Sequence, residues 1–188
     1  MNNKVTWKPG TMLSPVPVVM VTCQGSDNKP NIITIGWVGT INSEPPMVSI
    51  SVRPSRHSYK LIKESGEFVI NIPNKKLARE TDLCGVISGS KEDKFHETGL
   101  TAGKSNTVKA PIIMECPLSL ECKVKQEIPL GSHNMFLAEI TSVQVSKEFV
   151  DKEGKFEQTK ADLLGYSHGT YVALGKQLGT FGFSVKKK

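Results

Sequence analysis

The sequence predicts a mainly β protein, a closed antiparallel barrel with helical excursions. Short runs of β-branched or alternating residues recur between clusters of Gly, Pro, Asn and Ser. Few stretches have helical character, and they do not alternate with the strands as a parallel sheet requires. No GxGxxG motif follows the first strand, which argues against a doubly wound nucleotide fold. At 188 residues the chain suits a single domain over 1–188.

In chain order, Thr11 to Pro17 is punctuated by prolines and reads as irregular. Val18 to Cys23 is apolar except for Thr22, the pattern of a buried strand, and Gly25-Ser26-Asp27-Asn28 turns it. Pro30 to Trp37 follows as the second arm of a hairpin, with Gly36 marking a bulge or a close approach. Asn42 to Pro46 reads as a stiff connector. Met47, Val48, Ile50 and Val52, interleaved with Ser49 and Ser51, form the next strand. A short helix over Ser58–Ser65 ends at Gly66, and Glu67–Ile72 is a fourth strand stopped by Pro73. Asn74 caps a helix from Lys75 to about Cys84. Gly85 to Phe95 is a glycine- and serine-bearing loop, either an ordinary surface connection or a donor of backbone N–H groups to an anion. From Leu118 the period is two: Leu118, Leu120, Cys122 and Val124 alternate with Ser119, Glu121, Lys123 and Lys125, predicting a half-exposed strand. Gly131-Ser132-His133 turns into the strand Met135–Val145. A charged loop over 148–159 and a glycine-rich tail from Tyr166 to Val185 complete the chain.

Composition bounds the function. Moderate charge and apolar content fit a soluble globular protein. No apolar run approaches the roughly 20 residues of a membrane helix, and no signal-peptide core is present, so a cytoplasmic location is expected. Cys23, Cys84, Cys116 and Cys122 form no CxxC pair and read as reduced, buried small residues, with no metal site. The net charge of +6 admits an anionic partner. However, Lys186-Lys187-Lys188 reads as a solvated tail and the remaining cations are interspersed with acids. A small phosphorylated ligand explains the pattern more economically than nucleic acid.

The stretch with the clearest chemistry is Ser51-Val52-Arg53-Pro54-Ser55-Arg56-His57-Ser58, a strand-to-helix corner carrying two arginines, a histidine and hydroxyls. A helix start offers unpaired N–H groups and a positive dipole end, and guanidinium forks match phosphate oxygens. The alternative is a solvated loop in which Ser58 only caps the helix.

With these residues in hand, the chain resembles the flavin reductase-like proteins of the FMN-binding split barrel, including flavoredoxin, along nearly its whole length. The resemblance is carried by 31–37 (NIITIGW), 46–58 (PMVSISVRPSRHS), 66–73 (GEFVINIP), 84–89 (CGVISG), 93–95 (DKF), Ala110-Pro111, 115–117 (ECP), Glu121-Cys122 and Gly131-Ser132-His133, in that order. It implies a six-stranded Greek-key barrel, a homodimer and non-covalently held FMN near the dimer interface. It further implies electron transfer between a reductant such as NADH or NADPH and a flavin or other acceptor, or an electron-carrier role with a redox protein partner.

Carried over by position, the resemblance implies that Thr34, Ile35, Gly36 and Trp37 line the isoalloxazine edge, and it places Asn31 among the cofactor-binding residues. Ser51, Val52, Arg53, Arg56, His57 and Ser58 would take the ribityl chain and phosphate. Cys84, Gly85, Ser88, Gly89, Lys91 and Lys94 would approach from the other loop. Asn71 either bonds the flavin or satisfies a barrel backbone group. His133 is the candidate catalytic residue, near where a nicotinamide docks, with a hairpin-capping role as its alternative. Trp37 and Phe95 pack against the flavin or in the core. His96 and His168 read as surface or structural residues.

Overall fold

The computed structural model describes residues 3–185, so the lysine tail at 186–188 lies outside the described residues. The strands are β1 (Val16–Pro17), β2 (Val19–Gln24), β3 (Pro30–Ile35), β4 (Val38–Ser43), β5 (Pro46–Val52), β6 (Glu67–Ile72), β7 (Ala102–Gly103), β8 (Ile112–Ile113), β9 (Leu118–Pro129), β10 (Asn134–Val145), β11 (Leu164–Ser167) and β12 (Thr170–Ala173). The helices are α1 (His57–Ser65), α2 (Ala78–Val86), α3 (Lys94–Thr98) and α4 (Gln158–Ala161).

Seven strands form the main antiparallel sheet in the order β3-β2-β6-β9-β10-β5-β4. Its two outermost strands, β3 and β4, are separated in sequence only by Gly36 and Trp37. The stretch 30–43 is therefore one bent strand that pairs with β2 before the bend and with β5 after it, and this closes the sheet. The Ser51 N–H donates to the Trp37 carbonyl at 2.9 Å across the bend. Counted this way the barrel has six staves. The expected connector at 42–46 is instead the end of β4, a Glu44-Pro45 turn and the start of β5, with Ser43 opposite Pro46. Strand pairing satisfies backbone groups that a loop would leave to solvent.

The barrel interior is filled by Val19, Val21, Ile33, Ile50, Phe68, Phe136 and their neighbours, with Leu61 and Ile62 of α1 packing in. Met20 and Ile32 point to the other face, where Cys84 of α2, Leu100 and Cys116 cover them. Strand β2 is thus buried on both sides, which is why its apolar residues Val19 to Val21 run consecutively and do not alternate with polar ones. Helix α1 stops at Gly66, whose φ of 69° is left-handed and whose N–H caps the Ile62 carbonyl. The four cysteines are free and buried.

Strand β9 departs from the expected alternation. Glu121, read from sequence as solvent-facing, is 0% exposed. The segment around 104–110 crosses the outer face of the barrel there, and Glu121 accepts hydrogen bonds from the N–H groups of Asn106 and Thr107, the Thr107 hydroxyl and Gln144 Nε2. Burial alone would raise its pKa, but these donors outweigh burial and hold the carboxyl at about 2.

The C-terminal hairpin β11–β12 turns through His168 and Gly169, both at positive φ, as two-residue hairpins favour. It joins β1 in a three-stranded sheet beside the barrel. No helix among the described residues is long and apolar enough to cross a membrane.

Candidate functional site

The bend that closes the barrel and the corner between β5 and α1 open onto the same cavity, of about 350 Å³. One wall is the bent strand from Ile33 to Trp37, with Val18 beside it. A second is Ser51, Val52, Arg53 and Arg56. The C-terminal part of α2 contributes Asp82, Gly85 and Val86, the β9–β10 turn contributes His133, and the C-terminal hairpin contributes Tyr166 and Tyr171.

The corner is built by a tight turn in which the Arg56 N–H donates to the Arg53 carbonyl at 2.9 Å. Arg56 is the N-cap of α1 in extended conformation, with no side-chain cap. Ser58 does not cap the helix. It is buried, and Asn31 Nδ2 donates to its Oγ at 2.7 Å, tying α1 to β3. A Cβ on Gly89 would overlap the Asn31 carboxamide, so the loop that follows α2 can close on this pair only with glycine there. A Cβ on Gly85 would stand 3.3 Å from the Thr34 side chain, so α2 also lies tight on β3.

Neither Arg53 nor Arg56 has an ion-pair partner among the described residues. Cationic groups instead crowd one another. Burial pushes the His133 pKa down and the nearby Arg53 charge adds to it, which favours the neutral imidazole. Burial also lowers the Lys94 pKa, with Arg56 contributing. Lys94 is only 4% exposed, and its Nζ donates to the Cys84 carbonyl at 2.7 Å in the last turn of α2. Burial pushes the Cys84 thiol up to about 11. Two unpaired guanidiniums beside an uncapped helix start match the donor set that an anionic phosphate needs.

Of the residues singled out in the sequence, Thr34, Ile35, Gly36, Trp37, Ser51, Val52, Arg53, Arg56, Gly85 and His133 line the cavity. Asn31, Ser58, Gly89, Cys84 and Lys94 form the supporting contacts just described. His57, Ser88 and Lys91 are not in the lining. Asn71 braces the barrel instead. It donates to the Met20 carbonyl and accepts from the Ile113 N–H and the Ser119 hydroxyl, tying β2, β8 and β9 together. That matches its alternative as a residue satisfying barrel groups.

Sequence reasoning missed Asp82, Tyr166 and Tyr171. The Tyr171 hydroxyl donates to Asp82 Oδ1 at 3.1 Å, and the Tyr166 and Tyr171 rings meet edge to face at 5.5 Å. Asp82 and Tyr171 lie 89 positions apart, and the glycine-rich tail carried no local signal that would bring them together. A second cavity of about 210 Å³ adjoins the first, sharing Trp37 and Tyr166.

The family described as "Flavin reductase like domain" matches residues 11–175. The chain is similar in structure to the flavoredoxin of Desulfovibrio vulgaris (Miyazaki F), with 31% identity, a TM-score of 0.91, and coverage of 97% of this chain and 100% of that one. Flavoredoxin from Methanosarcina acetivorans aligns with 28% identity and a TM-score of 0.88 over 98% and 100% of the two chains. An uncharacterized protein of Archaeoglobus fulgidus is 35% identical over 152 residues, 81% of each chain. With a barrel closed at Gly36–Trp37, a cationic corner at its cavity and a match spanning nearly the whole chain, this protein belongs to the flavin reductase-like family.

Proposed function

We propose that the protein holds FMN non-covalently and moves electrons between a reductant such as NADH or NADPH and a flavin or other acceptor. The observation that carries this is the Arg53–Arg56 corner, two guanidiniums without carboxylate partners among the described residues at the uncapped start of α1, opening into the cavity. Arg53 and Arg56 neutralise the phosphate, and Ser51 and Val52 border the ribityl chain. The bent strand from Thr34 to Trp37 presents backbone groups and the Trp37 ring to the isoalloxazine. When bound, the flavin supplies the hydride- and electron-transfer chemistry; the protein supplies binding, orientation and electrostatics. His133, kept neutral by burial and by Arg53, sits on the cavity wall as the group that orients a nicotinamide donor.

Similarity to the two flavoredoxins favours a second reading, an electron carrier that exchanges electrons with a protein partner. The visible spectrum of the purified protein, recorded before and after anaerobic NADH and NADPH, separates the readings. Flavin absorbance bleached by a nicotinamide supports the reductase. Tightly held FMN that neither nucleotide bleaches supports the carrier. A colourless protein that takes up no added FMN refutes both.

A homodimer is part of this proposal. Its support is the apolar surface on the terminal arms, where Trp7, Leu13 and Leu178 are 71%, 83% and 93% exposed. Sedimentation equilibrium tests it, and a monomer at micromolar concentration overturns it. Four free thiols suit a reducing compartment, and we place the protein in the cytoplasm.

A further inference from the structure

Resting on the flavin reading above, we propose that Asp82 is a specificity-determining residue, and that the shelf it borders selects cationic planar rings over anionic ones as the second ligand of the cavity. The arginines account for one anion at the β5–α1 corner. The wall built by α2 and the C-terminal hairpin has the opposite charge and a different surface.

Asp82 is the acidic residue lining the cavity, and among the described residues no cation pairs with it. Its partner is the Tyr171 hydroxyl, a neutral donor that orients the carboxylate without cancelling its charge. Burial, followed by the hydrogen bond and charge of Asp82, pushes the Tyr171 pKa up to about 12, so the phenol keeps its proton at neutral pH. Beside the carboxylate, Tyr171 packs on Tyr166, and Tyr166 with Trp37 continues into the second cavity. Aromatic rings beside an uncompensated carboxylate attract a flat cation both by ring faces and by charge. They repel a flat anion by the same charge. A cavity required only to hold a phosphate would gain nothing from Asp82, because a carboxylate on its wall opposes every anionic ligand.

The test uses 1-methylnicotinamide, a pyridinium cation methylated at the ring nitrogen, and nicotinate, a ring of similar size carrying a carboxylate. Dissociation constants for both are measured by NMR titration, with FMN added and, in FMN-free protein, with saturating inorganic phosphate, so that the Arg53–Arg56 corner is occupied and cannot take up the anionic probe. Wild-type protein is expected to bind the cation about fivefold or more tightly than the anion. Asp82→Asn, which keeps an oxygen to accept the Tyr171 hydrogen bond, is expected to bring the two within about twofold. Tyr171→Phe retains the charge and should retain the preference. Equal binding of the two probes by the wild type, or an unchanged ratio in Asp82→Asn, overturns the assignment. FMN uptake is scored separately in the same samples. Absence of uptake sinks the flavin reading, while the probe ratio in FMN-free protein still decides the charge selectivity of the shelf.

Discussion

Replacing Glu121 by Gln changes one atom in the clasp that holds the 104–110 segment against β9. Both carboxylate oxygens are acceptors: Oε1 takes Gln144 Nε2 and shares the Asn106 N–H, while Oε2 takes the Thr107 N–H and hydroxyl. Whichever way the amide is placed, its NH₂ faces at least one backbone or amide donor in a buried site. Leaving such a group unsatisfied costs about 1–3 kcal/mol, more when a charge is lost. The depressed carboxyl expresses the same hydrogen bonds on a second scale. A fall from 4.5 to about 2 corresponds to about 3 kcal/mol at about 1.4 kcal/mol per pH unit. The folded pKa is depressed, so this stabilisation is full above the unfolded value of 4.5 and is lost as pH falls through about 2. Glu121→Gln is therefore expected to lower the melting temperature by about 5–10 °C at pH 7. The gap to wild type should narrow as the pH drops from about 5 toward about 2. Calorimetric melts of both proteins across that range test this. A loss under about 2 °C, or a gap independent of pH, refutes the reasoning.

Other perturbations address the cavity. Arg53→Ala and Arg56→Ala are each expected to weaken FMN binding at least tenfold, about 1.4 kcal/mol, by fluorescence titration; unchanged affinity in both removes the phosphate assignment. His133→Ala should leave FMN affinity intact and slow anaerobic reduction by NADH or NADPH in stopped flow, and an unaltered rate counts against its role. Gly89→Ala places a methyl group against the Asn31 carboxamide. It is expected to cost about 1–3 kcal/mol, seen as a lower denaturation midpoint, and an unchanged midpoint would show that the loop yields without strain.

The class of fold and the chemistry of one corner are legible in the chain before it folds. Strand-length apolar runs, turn clusters and Gly66 specify elements through interactions within a few residues, and so they can be read locally. The phosphate-suited corner is legible for the same reason, since its arginines and the helix start fall within residues 51–58. How those pieces meet was left to tertiary packing. Glu121 has the parity of an exposed residue on a half-buried strand, and it is buried because a segment some 15 positions upstream crosses that face. Asp82 and Tyr171 lie 89 positions apart, yet share a hydrogen bond on the cavity wall. Closure of the sheet turns on the same distinction. Gly36 reads as a bulge, but that the strand bends there to pair with β2 on one side and β5 on the other is settled by long-range register. Local preference sets which backbone conformations are cheap, whereas the burial gained by distant pairings chooses among them.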